Sequence, residues 1–205
     1  MTLPLTLTLA AYVLGATPTS LWVGKALFGV DLRREGSGNL GATNTFRVLG
    51  WKPALPVILV DIGKGWVPVA LFPLAVPDAA PWWLLVWGGA AILGHVFSFW
   101  AGFRGGKGIA TSAGVFLALA PWATLVGLVA WVGLVATTRY VSLGSIGAAL
   151  VLPGAVAVTP HGGGAATIWF TVALALFVIW AHRANIRRLL RGEENRFGRK
   201  EVSTP

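Results

Sequence analysis

Long apolar runs separated by short polar loops constrain this chain more than any other feature. About 20 apolar residues span a bilayer as a helix, and the apolar runs here cover approximately residues 3–28, 53–76, 82–101, 109–137, 143–158 and 165–181. The fourth run is interrupted at Pro121, which predicts two short helices joined there. Only 11% of the residues are charged, against roughly 25% in soluble domains. The sequence therefore predicts one all-α, polytopic membrane domain over residues 1–205.

The cations occupy alternate loops. Lys and Arg occur at residues 31–50, 102–108 and 137–142 and after residue 181, whereas the turns at 76–81, 121–122 and 159–164 contain none. Because cytoplasmic loops are enriched in Lys and Arg, the pattern predicts seven transmembrane helices, an external N-terminus and a basic cytoplasmic tail over about residues 182–205. Six crossings plus a re-entrant element near Pro121 is the alternative. The net charge of +9 then reflects orientation and anionic ligands, and no nucleic-acid partner is expected.

The loop at residues 102–111 combines Arg104 and Lys107 with four glycines, which include Gly105, Gly106 and Gly108. Glycines allow backbone N–H groups to close around an oxyanion, and the helix expected from Ile109 would present its N-terminus to the same anion. The loop thus predicts a phosphate site at the membrane surface. An ordinary cytoplasmic turn, with its cations as topology anchors, explains the loop alone equally well.

The first polar loop, residues 35–47, is rich in glycine and contains a formal G-x-G-x-x-G pattern. No strand precedes it, so the dinucleotide-binding context is absent. Its Arg47 suits bidentate phosphate binding. The loop also supplies four uncharged polar side chains, Ser37, Asn39, Thr43 and Asn44. This composition favours a binding loop over a plain linker.

The last apolar run is followed by His182 and Asn185, which are three residues apart and therefore share one face of a helix. Anionic membrane lipid accounts for the arginines of this tail, but not for the histidine and the asparagine. Within the spans, Asp61 and Lys64 form either a functional site or a neutral structural pair. His95 alone is more typical of a packed histidine.

Several kinds of chemistry are excluded or disfavoured. The chain has no Cys, and it contains neither a G-x-S-x-G elbow nor a His and carboxylate cluster suited to a metal. No metal or cofactor is expected, and a buried carboxylate base is not expected either. A reaction here would depend on positioning and on stabilisation of charge by Arg, Lys and backbone N–H groups.

Taken together, the loops resemble the bacterial acyl-phosphate:glycerol-3-phosphate acyltransferases, the integral-membrane PlsY family. The matching motifs are Gly36-Ser37-Gly38-Asn39-Leu40-Gly41-Ala42-Thr43-Asn44 with Arg47, Gly94-His95-Val96-Phe97 with Phe103-Arg104-Gly105-Gly106-Lys107-Gly108-Ile109-Ala110-Thr111, and His182-Arg183-Ala184-Asn185-Ile186. Asp61-Ile62-Gly63-Lys64-Gly65 and Arg139-Tyr140-Val141-Ser142-Leu143 also fit. The chain departs from the usual family pattern at Ser98, where Pro is usual, and at Arg104, where Lys is usual.

The resemblance implies transfer of an acyl group from acyl phosphate to the 1-hydroxyl of sn-glycerol 3-phosphate, at the cytoplasmic face of the bacterial cytoplasmic membrane. It implies catalytic roles for Ser37, Arg47, Lys107, His182 and Asn185. It implies substrate-binding roles for Gly38, Asn39, Thr43, Asn44, Arg104, Gly105, Gly106, Gly108 and Ser142. It further implies a substrate phosphate as the proton acceptor, and as partners both membrane lipid and the soluble enzyme that makes acyl phosphate.

Two other functions are compatible with the sequence. A transporter or channel for a phosphorylated anion would also use glycine-broken spans with cations, although the polar groups here lie at one membrane face and not at the midplane. A purely structural scaffold would leave the three polar loops without a role. Neither alternative accounts for the ordered set of motifs.

Overall fold

The computed structural model describes residues 2–198, and every regular element within that range is helical. The ten α-helices are α1 (Thr2–Ala16), α2 (Thr19–Phe28), α3 (Ala42–Leu49), α4 (Trp51–Ala75), α5 (Trp83–Val96), α6 (Ile109–Leu119), α7 (Pro121–Thr138), α8 (Val141–Val158), α9 (Ala166–Ala181) and α10 (Arg183–Leu190). A short 3₁₀ helix, Phe99–Ala101, follows α5. The end of the predicted basic tail, residues 199–205, lies outside the described range.

Four helical stretches among the described residues are long and apolar enough to cross a membrane: α4, α5 with its 3₁₀ turn, α7 and α8. The pair α9 and α10 would make a fifth, although the two helices are bent by 59° at their junction. The prediction of an all-helical polytopic membrane protein is therefore confirmed. Seven crossings and their orientation stay predictions.

Proline accounts for two of the breaks in the apolar runs. The first run divides into α1 and α2 at Pro18, and the fourth divides into α6 and α7 at Pro121. Proline disfavours the helical conformation of the residue before it, and Ala120 accordingly has φ −151° and ψ 70°. The sequence predicts two helices joined at Pro121, and the structure has them.

The helices pack in neighbouring pairs, with α1 against α5, α4 against α6, α7 against α8 and α8 against α9. The main core lies between α5, α6, α8 and α9 and includes Ile92, Phe116, Leu152 and Val178. Large apolar side chains are exposed on the outer faces of α1, α4, α7 and α9. Such exposure is unusual for a soluble protein and is what a lipid-facing surface requires.

Two hydrogen bonds join the end of α5 to α1. Tyr12 Oη donates to the carbonyl of Phe97 over 2.7 Å, and the buried Ser98 hydroxyl donates to the carbonyl of Ala16. The φ of Ser98 is −66°, an angle that proline also adopts. The backbone at Ser98 could therefore also accommodate proline, and the serine hydroxyl adds a hydrogen bond that proline could not make.

A buried ion pair connects α4 to the break between α1 and α2. Lys64 Nζ lies 2.7 Å from Asp61 Oδ1 and donates to the carbonyl of Thr17 over 2.9 Å. His95 Nδ1 lies 3.8 Å from the same carboxylate oxygen. Burying two opposite charges requires that they be paired and hydrogen-bonded. These contacts favour the interpretation of Asp61 and Lys64 as a structural pair.

Helices α4 and α6 approach each other closely at two glycines, and this contact places the loop before α6. A Cβ on Gly65 would overlap the carbonyl of Thr111, and a Cβ on Gly114 would overlap the carbonyl of Ile62. Small residues are what allow transmembrane helix backbones to pack this closely. The contact fixes the start of α6, and Lys107 lies two residues before that helix.

We expect Gly114→Ala to lower the thermal unfolding temperature in detergent, because overpacking a close contact typically costs about 1–3 kcal/mol. Gly63→Ala is the matched control, since it adds the same methyl group to α4 at a position with no heavy atom within 4 Å. Alanine also stabilises a helix interior by roughly 0.5–1 kcal/mol relative to glycine, so the control should unfold at or above the wild-type temperature. Equal effects of the two substitutions would contradict the close contact.

Candidate functional site

A cavity of about 440 Å³ lies between the polar loops and helices α4, α6, α7, α8 and α9. Ten of the predicted site residues line it: Ser37, Asn39, Thr43, Asn44, Arg47, Lys107, Gly108, Ser142, His182 and Asn185. They come from segments that are distant in the sequence, including the first loop, the start of α6, the start of α8 and the start of α10. The structure thus brings the three predicted loops together at one site.

Four predicted residues, Gly38, Arg104, Gly105 and Gly106, do not line the cavity. The N–H groups of Gly105 and Gly106 donate to the carbonyls of Val96 and His95 over 3.0 and 3.2 Å, and Arg104 is exposed. A Cβ on Gly106 would overlap the ring of His95. The two glycines therefore pack the loop against the end of α5, and their N–H groups are not available to an anion.

Unlike the backbone at Gly105 and Gly106, the N-terminus of α6 does face the cavity. Gly108, Ile109 and Ala110 line the cavity, and Gly108 adopts the left-handed conformation (φ 78°) that starts the helix. The first N–H groups of a helix have no partner within it and favour negative charge. The predicted anion site therefore rests on the helix start and Lys107, not on the glycine pair.

Lys107 and Asn185 join the second and third loops directly. Lys107 Nζ donates to Asn185 Oδ1 over 2.5 Å, and Asn185 Nδ2 donates to Glu194 Oε1 over 2.6 Å. The same carboxylate accepts hydrogen bonds from Ser142 Oγ (2.9 Å) and from Arg188 Nε (2.7 Å). One connected network therefore holds residues from the start of α6, the start of α8, α10 and the tail.

Arg188 and Glu194 line the cavity but were not among the predicted site residues, and Glu194 is the more unexpected of the two. Its side chain is only 6% exposed, whereas no buried carboxylate was expected at the site. Burial raises the pKa of Glu194, but hydrogen bonds from Asn185, Arg188 and Ser142 outweigh burial, so the pKa stands below its usual value. A carboxylate held ionised in this way accepts hydrogen bonds and is poorly suited to act as a base.

Lys107 lies outside the helices, at the mouth of the cavity. Burial lowers its pKa to about 8, Glu194 acts in the opposite direction, and the nearby Arg188 and Arg47 lower it further. Lys107 is therefore charged below pH 8 and loses its charge as the pH rises through that value. An anion beside it would favour the charged form.

Asn44 organises the first loop from within. It is buried, its Oδ1 accepts hydrogen bonds from the N–H and the hydroxyl of Ser37 (2.8 and 3.1 Å), and its Nδ2 donates to the carbonyls of Leu32 and Glu35. Arg47 Nη1 lies 3.4 Å from the same Oδ1. Asn44 thereby fixes the positions of Ser37 and Arg47 at the cavity wall.

His182 lies at the junction of α9 and α10 and is buried. Its Nδ1 lies 2.8 Å from the carbonyl oxygen of Val178. Since a carbonyl can only accept, Nδ1 carries the proton, and the Nε2 of the neutral ring is left as an acceptor. His182 is therefore held in one tautomer by the last turn of α9.

The other end of the cavity is apolar. It runs between α6, α7, α8 and α9, where the lining residues include Phe116, Leu117, Leu128, Trp131, Leu152 and Leu174. An apolar compartment that opens into a cluster of cations fits a molecule with a hydrocarbon part and an anionic head. Among residues 2–198, no group of three or more His, Cys, Asp or Glu side chains could hold a metal ion.

The fold and the site together define a class: an integral membrane protein with a cluster of cationic side chains at one end of an apolar cavity. The glycerol-3-phosphate acyltransferase family model matches residues 5–192. The chain belongs to that family.

Relatives and solved structures agree with this assignment over nearly the whole chain. A glycerol-3-phosphate acyltransferase of Halalkalibacterium halodurans is 44% identical over 97% of both chains, and one of Geobacter sulfurreducens is 48% identical over 94% of this chain and 97% of the relative. The crystal structure of PlsY (YgiH), an integral membrane glycerol 3-phosphate acyltransferase, in its glycerol 3-phosphate form superposes with a TM-score of 0.86 at 39% identity, over 98% of this chain and 99% of that one. Its lysophosphatidic acid form gives 0.83 at 38% identity, over 95% of both.

We expect Lys107→Ala to weaken the binding of inorganic phosphate to the purified protein by at least ~10-fold, because a charged hydrogen bond contributes about 1.5–3 kcal/mol. Arg104→Ala is the control. It removes a cation from the same loop, but Arg104 is exposed and does not line the cavity. Phosphate binding to the wild type should also weaken as the pH rises through about 8, where Lys107 loses its charge. Isothermal titration calorimetry from pH 6.5 to 9.5 measures both effects, and equal losses for the two variants would contradict the site.

Proposed function

We propose that this protein transfers an acyl chain from acyl phosphate to the 1-hydroxyl of sn-glycerol 3-phosphate. The products are 1-acyl-sn-glycerol 3-phosphate (lysophosphatidic acid) and inorganic phosphate. The observation that carries the proposal is the cavity itself, whose mouth is lined by Lys107, Arg47 and Arg188 and whose far end is apolar. Both substrates carry phosphate, and one also carries a hydrocarbon chain. Family membership supports glycerol 3-phosphate as the acceptor.

The acyl phosphate donor is the finer part of the proposal. The acceptor hydroxyl oxygen attacks the acyl carbon, the bond from that carbon to the phosphate oxygen breaks, and phosphate departs with the electron pair. A phosphate oxygen of a substrate takes the hydroxyl proton. The site suits this route because, among the described residues that line it, the one carboxylate outside the Asp61–Lys64 pair, that of Glu194, is held ionised by three hydrogen bonds.

In this proposal the role of each polar residue follows from its position in the cavity. Ser37, Arg47 and Lys107 hold phosphate groups, together with the N-terminus of α6. His182 and Asn185 place the donor or the acceptor. Further contacts to the substrates come from Asn39, Thr43, Gly108 and Ser142 at the cavity wall. Asn44 acts through Ser37, because its own amide groups are engaged by the loop.

The apolar end of the cavity would hold the acyl chain. Each buried methylene contributes roughly 0.8 kcal/mol, so a chain of several carbons provides much of the binding energy of the donor. A donor without that chain, such as acetyl phosphate, would lose this contribution while retaining the same reactive group. Chain length therefore tests the apolar compartment separately from the phosphate contacts.

The same proposal includes a membrane topology. We infer seven crossings, formed by α1 with α2, α4, α5, α6, α7, α8 and α9, with the N-terminus outside and α10 in the cytoplasm of a bacterial cell. The support is that the cation-bearing loops and the cavity mouth share one end of the helices, where a soluble enzyme could deliver acyl phosphate. Helix α6 has only 11 residues, so its crossing relies on its packing against α4.

We expect Asp78→Cys and Ala165→Cys to react with a membrane-impermeant maleimide added to intact spheroplasts, whereas Arg104→Cys and Arg191→Cys should react only after lysis. All four positions are exposed, and the natural chain contains no Cys, so each variant carries a single thiol. Labelling is read by gel shift. Reaction of the Arg104→Cys variant in intact spheroplasts would contradict the orientation.

We expect purified protein to release phosphate from palmitoyl phosphate only when glycerol 3-phosphate is present, and to form lysophosphatidic acid in equal amount. Lys107→Ala should lower the rate at least ~100-fold, as is typical when one contact to developing charge is removed. Acetyl phosphate should be a poor donor because it leaves the apolar compartment empty. Phosphate release and product mass spectrometry are the measurements.

Palmitoyl-CoA at the same concentration is the control donor. Turnover with palmitoyl-CoA but not with palmitoyl phosphate would overturn the donor assignment while leaving the acyltransferase activity in place. Uptake of a phosphorylated anion into proteoliposomes without any acyl transfer would support the transporter alternative instead.

A further inference from the structure

The tail after α10 folds back across the mouth of the cavity. The N–H of Phe197 donates to the carbonyl of Arg139 over 2.7 Å, and the Phe197 ring stacks on Phe46 with centroids 5.0 Å apart. Arg196 Nε lies 3.2 Å from Tyr140 Oη, and its guanidinium lies 5.5 Å from the same ring. These contacts attach the tail to α3 and to the loop before α8, and they place Glu194 inside the site.

Glu194 and Lys107 together determine which way the Asn185 amide points. Lys107 Nζ can only donate and an ionised carboxylate can only accept, so with both present the amide must direct Oδ1 to Lys107 and Nδ2 to Glu194. Ser142 is constrained in the same way, because its hydroxyl donates to the same carboxylate. Lys107 alone already favours this orientation, and Glu194 secures it by giving Nδ2 a charged acceptor on the opposite side.

We propose that Glu194 is a positioning residue for acyl transfer: through Asn185 it holds Lys107 at the phosphate site, and it orients Ser142 directly. The proposal rests on the proposed function. It assigns to the tail a part of the site, because Glu194 reaches the network only when residues 192–198 lie across the mouth.

The charges around Lys107 give the proposal a second consequence. Arg47 on α3, Arg188 on α10 and Glu194 on the tail all face Lys107, and neutral His182 lies beside it at the α9–α10 junction. Glu194 is the member of this group that favours the charged form of Lys107. Removing its charge while Arg47 and Arg188 remain should cause Lys107 to lose its proton at a lower pH.

A different role would reverse the expected result. Glu194 presents an anion to the same groups that would bind phosphate, so it could act as an internal competitor that the substrate must displace. A competitor raises KM and leaves the chemical step intact. A positioning residue supports the chemical step, and its loss appears in kcat.

The experiment compares Glu194→Gln and Glu194→Asp with Glu193→Gln in the full-length protein. Glu193 is the adjacent carboxylate and is exposed, so its substitution removes the same charge from the same tail without touching the network. We expect Glu194→Gln to lower kcat by about 10-fold or more, since small misplacement of a positioning group has effects of this size. Glu194→Asp retains the charge and should recover part of the loss, and Glu193→Gln should match the wild type.

The second readout is the pH at which inorganic phosphate binding weakens, measured by calorimetry. In the Glu194→Gln variant this midpoint pH should fall from about 8 by roughly half a pH unit or more, as expected when a neighbouring opposite charge is removed. A purely structural role would lower kcat without moving this midpoint. An unchanged midpoint, or a lower KM with unchanged kcat, would overturn the proposal. This binding measurement needs no turnover, so it separates failure of the positioning role from failure of the proposed function, which would appear as an inactive wild type.

Discussion

An excess of positive charge at the end of an apolar cavity is the constraint on which the site depends. Among residues 2–198, the cavity lining carries three cationic side chains, those of Lys107, Arg47 and Arg188, and one carboxylate that is not already paired within α4, that of Glu194. Cations that are partly removed from water repel one another and cost free energy unless an anion joins them. This excess of positive charge therefore favours a ligand that brings about two negative charges, as the phosphate group of the proposed substrates would.

The close packing of the helix backbones makes that concentration of charge possible. Gly65 and Gly114 allow α4 and α6 to touch, while Gly105 and Gly106 hold the intervening loop against the end of α5. The backbone at Lys107 is therefore held in place by packing, which limits how far its side chain can move out of the cavity. A phosphate site in a flexible loop would have to order its cations at each binding event, at an entropic cost. Here the ordering is already built into the fold.

The sequence predicted the helical membrane fold and the convergence of three loops because both depend on local signals. The length of an apolar run and the placement of cations can each be recognised within one segment of the sequence. The motifs around Ser37, Lys107 and His182 are also short and contiguous. The roles of the glycines were harder to predict, because a glycine that approaches a backbone carbonyl and one that cradles an anion have the same sequence pattern. Gly105 and Gly106 proved to be of the first kind.

Glu194 was missed for a different reason. It lies in a polar tail whose composition resembles that of any solvated segment. Its burial depends on the position of that tail, which Phe197 attaches to Arg139 and Phe46, residues that are far away in the sequence. No periodicity predicts such contacts. The break at Pro18 has, by contrast, a local cause, because proline disfavours the helical conformation of the residue before it.

The network also bears on how a hydroxyl group could be deprotonated at this site. The Glu194 oxygens are occupied and its pKa is lowered, and Lys107 is charged below about pH 8, so neither is a ready base at neutral pH. His182 has one nitrogen committed to Val178, which leaves Nε2 as the remaining acceptor on the ring. In the proposed reaction, a hydrogen bond from the acceptor hydroxyl to Nε2 would orient the nucleophile, and a phosphate oxygen of a substrate, which carries more negative charge than Nε2, would accept the proton. That proposal would use each group in the protonation state that its surroundings favour.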